Sequence, residues 1–578
     1  MSPLTRRELL WMTGGAWIAG STLPGCKHPS EPAGTGPTGA GPAGAGGAGS
    51  GGAIVGAGMV ASSQRVATAA GLEILRAGGT AADAAVATAA ALNVSEPTST
   101  GLGGDCFALY YDAATRAVTA LNGSGRAPAA LNLELLRTQK LSPLPPLHAH
   151  TITVPGACAG WCDLVERHGT LPMSKVLEPA IRLAEGGFPV SPSTAHFWGR
   201  GVARLKDVPS FRELTIDGRA PAAGETFRNP GLARTLRAIA AGGKDAYYRG
   251  EIAAAVARAV REAGGVMTEA DLAEHTSTWD EPISTTYRGT RVWECPPNGQ
   301  GITALLALNL LEGFELRGQD PLGTERVHLM VEALRVAFAD TRWYVADPRV
   351  AKVPVAELLS KDYAARRRAL IDPKRAAADV RRGAPVAGTD TVYFCVVDGR
   401  GNACSFINSN YMGFGTGIVP AGWGFTLQNR GHGFSLDPQH PNALAPKKRP
   451  YHTIIPGMIT RADGSLYAPF GVMGGFMQPQ GHVQVVVGLL DDDAAPQAVI
   501  DRPRFCIEPV DGAVRLQLEE GVPEATVAAL RARGHDLVAG VTGFERSLFG
   551  RGQIIRRERD GGLTGASDTR ADGEARGT

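Results

Sequence analysis

The chain is 578 residues long, and 44% of its residues are hydrophobic and 20% are charged. A chain of this size and composition can bury a large core, as one large α/β unit or as several domains. The net charge is +2 at pH 7, and the sequence has no dense basic patch. This charge gives no electrostatic signature of nucleic-acid binding and little attraction to acidic membranes, so we expect a small-molecule partner and no nucleic acid.

Residues 1–26 predict an export signal. The stretch "TRRELL" at 5–10 is a twin-arginine pattern, and the weakly apolar run at 9–23 is too short and Gly-rich for a transmembrane helix. The signal ends in "LPGC", which resembles the lipobox of bacterial lipoproteins and indicates lipidation of Cys26. An ordinary signal peptide with a chance cysteine is the alternative. We expect export by the Tat route and a periplasmic or cell-surface lipoprotein that meets the membrane only through its lipid.

Two further segments are predicted to lack packed structure. Residues 27–57 are mostly Gly, Ala, Pro, Ser and Thr, which bury too little apolar surface to offset the entropy of ordering them. We interpret them as a flexible linker between the lipid and a globular body that begins near Gly58. Residues 560–578 are polar, and we expect a frayed end there.

The cysteine pattern does not predict a disulfide framework. Eight cysteines are scattered along the chain, and lipidation of Cys26 leaves an odd number. Cys158 and Cys162 lie one helical turn apart in "PGACAGWC", where small packing residues are a better interpretation than a disulfide or a metal pair.

The globular body begins with two Ala-rich helices and a hairpin. The first helix is stopped by the glycine pair at 78–79, and the second is capped by Thr80 with Asp83 three residues on, the spacing of a capping box. Alternating strands follow at 107–111 and 117–121.

The stretch "GTDTVYFCVVDGRGN" at 388–402 predicts a second hairpin. Residues 392–397 are β-branched or aromatic almost throughout, and the Asp-Gly and Gly-Asn pairs after them favour a turn. Thr391 stands at the start of this strand. The plain interpretation is a core hairpin in which Thr391 is only the first residue.

No metal or cofactor motif is present in the sequence. There is no His-Glu-x-x-His pattern and no P-loop, and His148 and His150 beside two prolines are better explained as loop residues than as ligands. We therefore expect neither a metal nor a cofactor.

Four stretches together resemble one family. They are "GMVASSQRVATAAGLEILRAGGTAADAAVATAAALNVSEPTSTGLGGDCFALYYDA", "VPGACAGWCDLVERHGTLP", "TVYFCVVDGRGNACSFINSNYMGFGTGIV" and "GVMGGFMQPQGH". In order and spacing they resemble the γ-glutamyltranspeptidase family, from about Gly58 to past Phe505. The resemblance implies an α+β fold, the αββα sandwich of an N-terminal nucleophile (Ntn) hydrolase, formed jointly by two autocleaved subunits.

The resemblance also implies the nucleophile and the cleavage site. Members of the family cut themselves before a threonine, which here is Thr391 by its position before "VYFCVVD", so the bond is Asp390–Thr391. Thr389 is the competitor, two positions too early. The cut would give a large subunit, 58–390, and a small subunit, 391–578, that stay together as a heterodimer. The new α-amino group can then act as the base that activates the hydroxyl.

Other site residues carry over from the family by position. Gly474 and Gly475 in "GVMGGF" match the glycine pair whose N–H groups form the oxyanion hole, although a plain turn would also explain them. Ser409 stands where the family has a hydroxyl residue that orients the threonine.

The amino-acid clamp of the family is rewritten in this sequence. Ser124 replaces the arginine that holds the α-carboxylate, and Arg126 follows two residues later. His452 and Thr453 stand at the serine pair, and Tyr411 stands at an asparagine that binds substrate. Activity on ordinary γ-glutamyl compounds such as glutathione is therefore in question.

The altered stretches are similar to a branch of oxamate amidohydrolase-like and cephalosporin acylase-like enzymes. Gly433 stands where relatives have the aspartate for the α-amino group, and Arg430 lies just before it. A guanidinium suits a carboxylate, so we expect amide substrates whose acyl group carries a carboxylate and lacks an α-amino group. Pairing of Arg430 with a structural acid is the alternative.

Two functional hypotheses remain from the sequence. The first is an exported, self-processing threonine amidohydrolase or acyltransferase, and we favour it because Thr391, Ser409 and the glycine pair occur together. The second is an inactive binding or structural lipoprotein on the same fold, which the lost clamp would permit.

Overall fold

The computed structural model describes residues 58–378, 390–510 and 513–578. The predicted signal at 1–26 with Cys26, the predicted linker at 27–57 and the competing Thr389 lie outside these residues. No helix in the described ranges is long and apolar enough to cross a membrane.

The strands of the described residues are short and mostly buried. In chain order they are β1 Met59–Ser62, β2 Asp105–Tyr111, β3 Val118–Gly123, β4 Phe188–Pro189, β5 Thr226–Phe227, β6 Thr278–Asp280, β7 Ile283–Tyr287, β8 Thr290–Glu294, β9 Asp390–Val397, β10 Ala403–Tyr411, β11 Gly457–Thr460, β12 Leu466–Met473, β13 Phe505–Val510, β14 Ala513–Glu519, β15 Leu537–Val541, β16 Arg551–Arg557, β17 Leu563–Ser567 and β18 Glu574–Gly577.

The helices lie mainly in the first two thirds of the chain. They are α1 Arg65–Arg76, α2 Ala81–Ser95, α3 Leu133–Thr138, α4 Ala157–His168, α5 Met173–Gly186, α6 Pro192–Arg204, α7 Pro230–Tyr248, α8 Glu251–Glu262, α9 Glu269–Ala273, α10 Gly301–Leu311, α11 Thr324–Tyr344, α12 Val355–Leu358, α13 Lys361–Arg368, α14 Met477–Leu490, α15 Pro496–Asp501 and α16 Glu524–Ala532.

Two large sheets form the centre of the molecule. The first has seven strands in the order β18-β1-β9-β10-β2-β3-β6, and the second has six in the order β17-β16-β12-β11-β8-β7. The sheets face each other, since β9 contacts both β12 and β16. Helices α2 and α4 cover the outer face of the first sheet, and α10 and α14 cover that of the second. The layers therefore run helix, sheet, sheet, helix.

This layering explains the burial pattern of the central strands. Every residue of β10 is buried, as expected for a strand whose sheet is covered on both faces. Helix α2 is buried along its whole length, and its alanines allow close packing between the sheet and the neighbouring helices. The predicted capping box is confirmed, because Asp83 N donates to Thr80 Oγ1 at 3.3 Å and Thr80 N donates to the Asp83 carboxylate at 2.9 Å.

The expectation of a frayed C-terminal end is wrong. Residues 563–567 form β17, which pairs with β16, and residues 574–577 form β18, which pairs antiparallel with β1. Backbone pairing stabilises this polar segment, and it needs few apolar side chains. Thr578 N also donates to the Gly58 carbonyl at 2.9 Å, so the end of the chain is tied to the start of the globular body.

The cysteines of the described residues are all free thiols. Cys158 is buried and Cys162 is half-buried on α4, so the predicted packing role is confirmed and neither forms a disulfide.

Candidate active site

Thr391 lies at the start of β9, in the middle of the first sheet. Strand β9 is flanked by β1 and β10, and the Thr391 side chain has no exposed surface. The β9–β10 ladder pairs Val392 with Asn408 and Asp390 with Tyr411, so two residues of β10 lie opposite the single Thr391. This β-bulge interrupts the regular pairing at the point where a nucleophile is predicted.

Ser409 lies in the bulge and contacts the threonine. The Thr391 hydroxyl donates to Ser409 Oγ at 3.2 Å. Ser409 Oγ also accepts from the Tyr411 amide at 2.9 Å and from Arg430 Nη2 at 3.2 Å. The serine is therefore held in place from two further sides and links the threonine to a cation.

Arg430 is a fully buried guanidinium beside this pair. Its Nη1 donates to Thr453 Oγ1 at 2.7 Å, and its Cζ lies 4.2 Å above the centre of the Tyr411 ring. Its Nε is buried without a partner, and none of its ion pairs or hydrogen bonds in the described residues involves a carboxylate. Burial lowers its pKa to about 10, which leaves it charged at neutral pH.

Tyr411 has an unusual backbone conformation for a bulky residue. Its φ is 78°, in the left-handed region that side chains other than glycine rarely adopt. This conformation follows the bulge. It directs the Tyr411 amide to Ser409 Oγ and places the Tyr411 ring under the Arg430 guanidinium. Backbone strain of this kind is common at functional sites, where the surrounding structure holds it.

His452 is buried next to this group, but it points towards a carboxylate. Its Nε2 lies 3.0 Å from Asp105 Oδ2, and its Nδ1 accepts from the Ile454 amide at 3.4 Å, which indicates an N–H on Nε2. Burial and the charge of Arg430 lower the pKa of His452 to about 3, so the ring is neutral. The Nε2–H group of His452 therefore bonds to Asp105 inside the protein.

Gly474 and Gly475 form the turn between β12 and α14. Both have positive φ, 129° and 60°, which favours glycine. Their carbonyl oxygens accept from the amides of Met477 and Gln478, while their own N–H groups donate to no acceptor in the described parts of the chain. Two unused N–H groups next to a helix N-terminus can bind an oxyanion.

Two glutamines complete the site, and neither is predicted from the sequence. Gln478 Nε2 lies 3.5 Å from Thr391 Oγ1, and its Oε1 accepts from the Ile455 amide. Gln300 Nε2 donates to the carbonyls of Gly475 at 2.8 Å and Thr453 at 2.7 Å. Gln478 falls inside the "MQPQGH" stretch that carried the resemblance, whereas no sequence signal marks Gln300.

Arg126 is the predicted site residue that the structure places apart from the others. Its Nη1 donates to the Thr276 carbonyl at 3.2 Å, and it lines a cavity with Asp271, His275 and Arg349. No contact within the described residues joins it to Thr391 or Arg430. The described ranges also hold no cluster of three or more His, Cys, Asp or Glu side chains suited to a metal ion.

Comparison with known proteins identifies the class of this site. The model of the gamma-glutamyltranspeptidase family matches residues 67–578. The glutathione hydrolase-like YwrD proenzyme of Bacillus subtilis is 37% identical over 525 residues, covering 90% of this chain and 98% of the relative. The oxamate amidohydrolase proenzyme of Klebsiella pneumoniae is 36% identical, with 90% and 98% covered.

A solved structure agrees with these sequence matches. The cephalosporin acylase from Bacillus halodurans is 44% identical and superposes with a TM-score of 0.85, covering 93% of this chain and 98% of that one. The site and fold define a self-processing enzyme that cleaves amide bonds. The chain belongs to the gamma-glutamyltranspeptidase family.

Proposed function

We propose that this enzyme cuts itself between Asp390 and Thr391 and then hydrolyses an acyl amide through an acyl-Thr391 intermediate. The observation that carries the proposal is the chain of hydrogen bonds from the Thr391 hydroxyl to Ser409 and on to Arg430, at the start of a buried strand. The resulting subunits, 58–390 and 391–578, stay together as a heterodimer on an Ntn-hydrolase fold.

Thr391 acts twice in this mechanism. In the uncut chain its Oγ attacks the Asp390 carbonyl carbon, the peptide C–N bond breaks, and the Thr391 nitrogen takes the proton. Water then hydrolyses the resulting ester and frees the hydroxyl. In each later turnover the free α-amine, with an ordinary pKa near 8, accepts the hydroxyl proton as Oγ attacks the substrate amide. The amine product leaves with that proton, and water releases the acid.

The turn of Gly474 and Gly475 supplies the oxyanion hole in this scheme. Its two N–H groups donate to the negative oxygen of the tetrahedral intermediate, and a single such donor contributes about 3 kcal/mol to transition-state stabilisation. Gln478 and Ser409 orient the threonine, since both lie within hydrogen-bond reach of its Oγ1.

Arg430 points to the substrate class. A buried cation that lacks a carboxylate partner is costly, so an anionic group of the substrate is a fitting partner. Because Arg430 also contacts Ser409, that group would lie close to the scissile amide. We therefore propose acyl amides with a carboxylate or carbonyl near the reacting carbon and no α-amino group, of the oxamate or dicarboxylic half-amide kind.

The first experiment tests processing. The mature chain that begins at Cys26 or just after it should give bands of about 38 kDa, for the linker with the large subunit (27–390), and about 20 kDa, for residues 391–578, on a denaturing gel. Thr391→Ala should stay uncut and inactive, while Thr391→Ser should cut more slowly, because it keeps the hydroxyl. A wild-type protein that stays one band, or a Thr391→Ala chain cut at the same bond, would contradict the proposal.

The second part of the experiment tests the acyl group. We expect wild type to hydrolyse glutaryl-p-nitroanilide faster than γ-glutamyl-p-nitroanilide, and Arg430→Ala to lose this preference. A clear preference for the γ-glutamyl compound that survives the loss of Arg430 would assign the pocket to amino-acid substrates instead.

We also propose that the enzyme is exported by the Tat route and anchored through a lipid on Cys26. The proposal rests on the twin-arginine and lipobox-like stretches of residues 1–26. Replacing Arg6 and Arg7 with lysine should keep the precursor inside the cell, and Cys26→Ser should release exported protein from the membrane fraction. Membrane-bound Cys26→Ser protein would contradict the lipid anchor.

A further inference from the structure

Arg342 is a second cation beside the candidate active site, and nothing in the scheme above uses it. It lies near the end of α11, and its Cζ is 4.5 Å from the centre of the Phe476 ring. Phe476 directly follows Gly475 of the proposed oxyanion hole. The guanidinium is therefore one side chain away from the turn that would face the reacting carbonyl.

The Arg342 guanidinium has no polar partner among the described residues. Its Nε and Nη2 are buried without a hydrogen-bond acceptor, although the residue as a whole is half-buried, and no carboxylate in the described ranges forms an ion pair with it. Burial lowers its pKa to about 10, so it still carries its charge at neutral pH. Buried N–H donors are normally paired, and an arginine that only packs on an aromatic ring leaves its donors available to a ligand.

A continuous set of contacts connects Arg342 with Arg430. Phe476 stacks on Tyr451 with ring centres 6.0 Å apart, and the Tyr451 hydroxyl donates to Gln300 Oε1 at 3.0 Å. Gln300 holds the carbonyls of Gly475 and Thr453, and Thr453 accepts from Arg430. Both arginines are also close enough to Tyr411 for their charges to lower the pKa of its phenol against the larger effect of burial.

We propose that Arg342 is a specificity-determining residue of the acyl pocket that binds the far carboxylate of a dicarboxylic half-amide. The inference rests on the function proposed above and adds a second anchor to it. Arg430 touches Ser409 next to the nucleophile, so it suits a group adjacent to the scissile amide. Arg342 packs on the ring of Phe476, the residue after Gly475, so it suits a carboxylate at the end of a short methylene spacer.

The experiment compares charged and uncharged acyl groups of equal length. Glutaryl-p-nitroanilide and valeryl-p-nitroanilide both carry five acyl carbons, and only the first ends in a carboxylate. We expect wild type to favour the glutaryl compound in kcat/KM. Arg342→Ala should reduce this preference at least tenfold, mainly through KM, and Arg342→Lys should keep part of it because it keeps the charge.

The matched control is Arg400→Ala. Arg400 is an exposed arginine in the turn at the far end of β9, and the strand separates it from Thr391 by roughly 20 Å. It removes the same charge from the protein and should leave the preference unchanged. Arg342→Gln is measured beside Arg342→Ala, so that a folding defect found only in the alanine variant does not decide the result.

The outcomes separate the two proposals. A wild-type protein that cuts itself but hydrolyses neither anilide would argue against the proposed function. The Arg342 inference is overturned if any processed variant without the cation, Arg342→Ala or Arg342→Gln, keeps the wild-type preference for the glutaryl compound within twofold. Gel analysis of each variant shows whether it was processed.

Discussion

At the scale of single residues, the site combines a charged arginine, Arg430, with a neutral histidine, His452. Arg430 contacts Ser409, the partner of the proposed nucleophile, whereas His452 is neutral and bonded to Asp105. The Asp105 carboxylate also accepts from the amides of Gly125 and Gly156 at 3.0 and 3.1 Å. The His452–Asp105 pair therefore holds the loops around the site while the imidazole stays neutral.

The neutral state of His452 predicts a pH dependence of stability. Burial holds its pKa at about 3, below the ordinary value of 6.5. Below pH 6.5 the unfolded chain binds a proton that the folded chain refuses, so the stabilisation is complete above pH 6.5 and is lost as the pH falls towards 3. Between pH 7 and pH 5 this one group should lower the free energy of unfolding by about 2 kcal/mol.

Urea unfolding of the uncut Thr391→Ala chain at pH 7 and pH 5 measures this effect. His452→Gln keeps an N–H for Asp105 but cannot titrate, so its loss of stability between the two pH values should be smaller by that amount. All other buried histidines are common to both proteins and cancel in the comparison. Equal losses in the two proteins would show that His452 is charged in the folded state.

At the scale of elements, the turn between β12 and α14 is the feature on which activity should depend most. Gly475 has φ of 60°, and its carbonyl is held by Gln300 and by the Gln478 amide. A side chain at this position favours a different backbone conformation by about 1–2 kcal/mol and would rotate the N–H away from the oxyanion. The position is therefore sensitive in function even where the fold tolerates the change.

We predict that Gly475→Ala lowers kcat of the processed enzyme about 100-fold with a small effect on KM. Gly464→Ala is the matched control, because Gly464 also has positive φ, 80°, but lies in the β11–β12 turn. Both substitutions carry the same backbone cost, so only the first should lose activity. Similar kinetics in the two variants would show that the glycine pair is a structural turn.

The sequence predicts part of this site and could not predict the rest. Thr391, Ser409 and the glycine pair lie in continuous motifs. The structure joins Thr391 to Ser409 by a hydrogen bond, and it places the glycine pair in the turn just before Gln478, which reaches Thr391 Oγ1. Asp105 and Gln300 are polar residues of ordinary local sequence whose partners are distant in the chain, so only the folded contacts mark them. The composition of residues 560–578 predicts a frayed end, because composition does not show that β1 offers a strand edge with which β18 can pair.

At the scale of the whole molecule, the two predicted subunits interleave in both large sheets. In the first sheet, β1 of the large subunit lies between β18 and β9 of the small one, and β10 pairs with β2 across the same boundary. In the second sheet, β11 pairs with β8 in the same way. Separating the subunits would break backbone ladders as well as side-chain packing.

This interleaving indicates at which stage of folding the proposed cut can occur. Gln478, whose Nε2 lies 3.5 Å from Thr391 Oγ1, belongs to helix α14 on the second sheet. The surroundings of Thr391 are therefore complete only when both sheets have formed, and we expect the proposed cut to follow folding. The proposed cut would then mark a correctly folded chain, and a misfolded copy would remain a single inactive polypeptide. On this proposal, the peptide bond between the two predicted subunits would be needed while the sheets assemble and would become dispensable once they have formed.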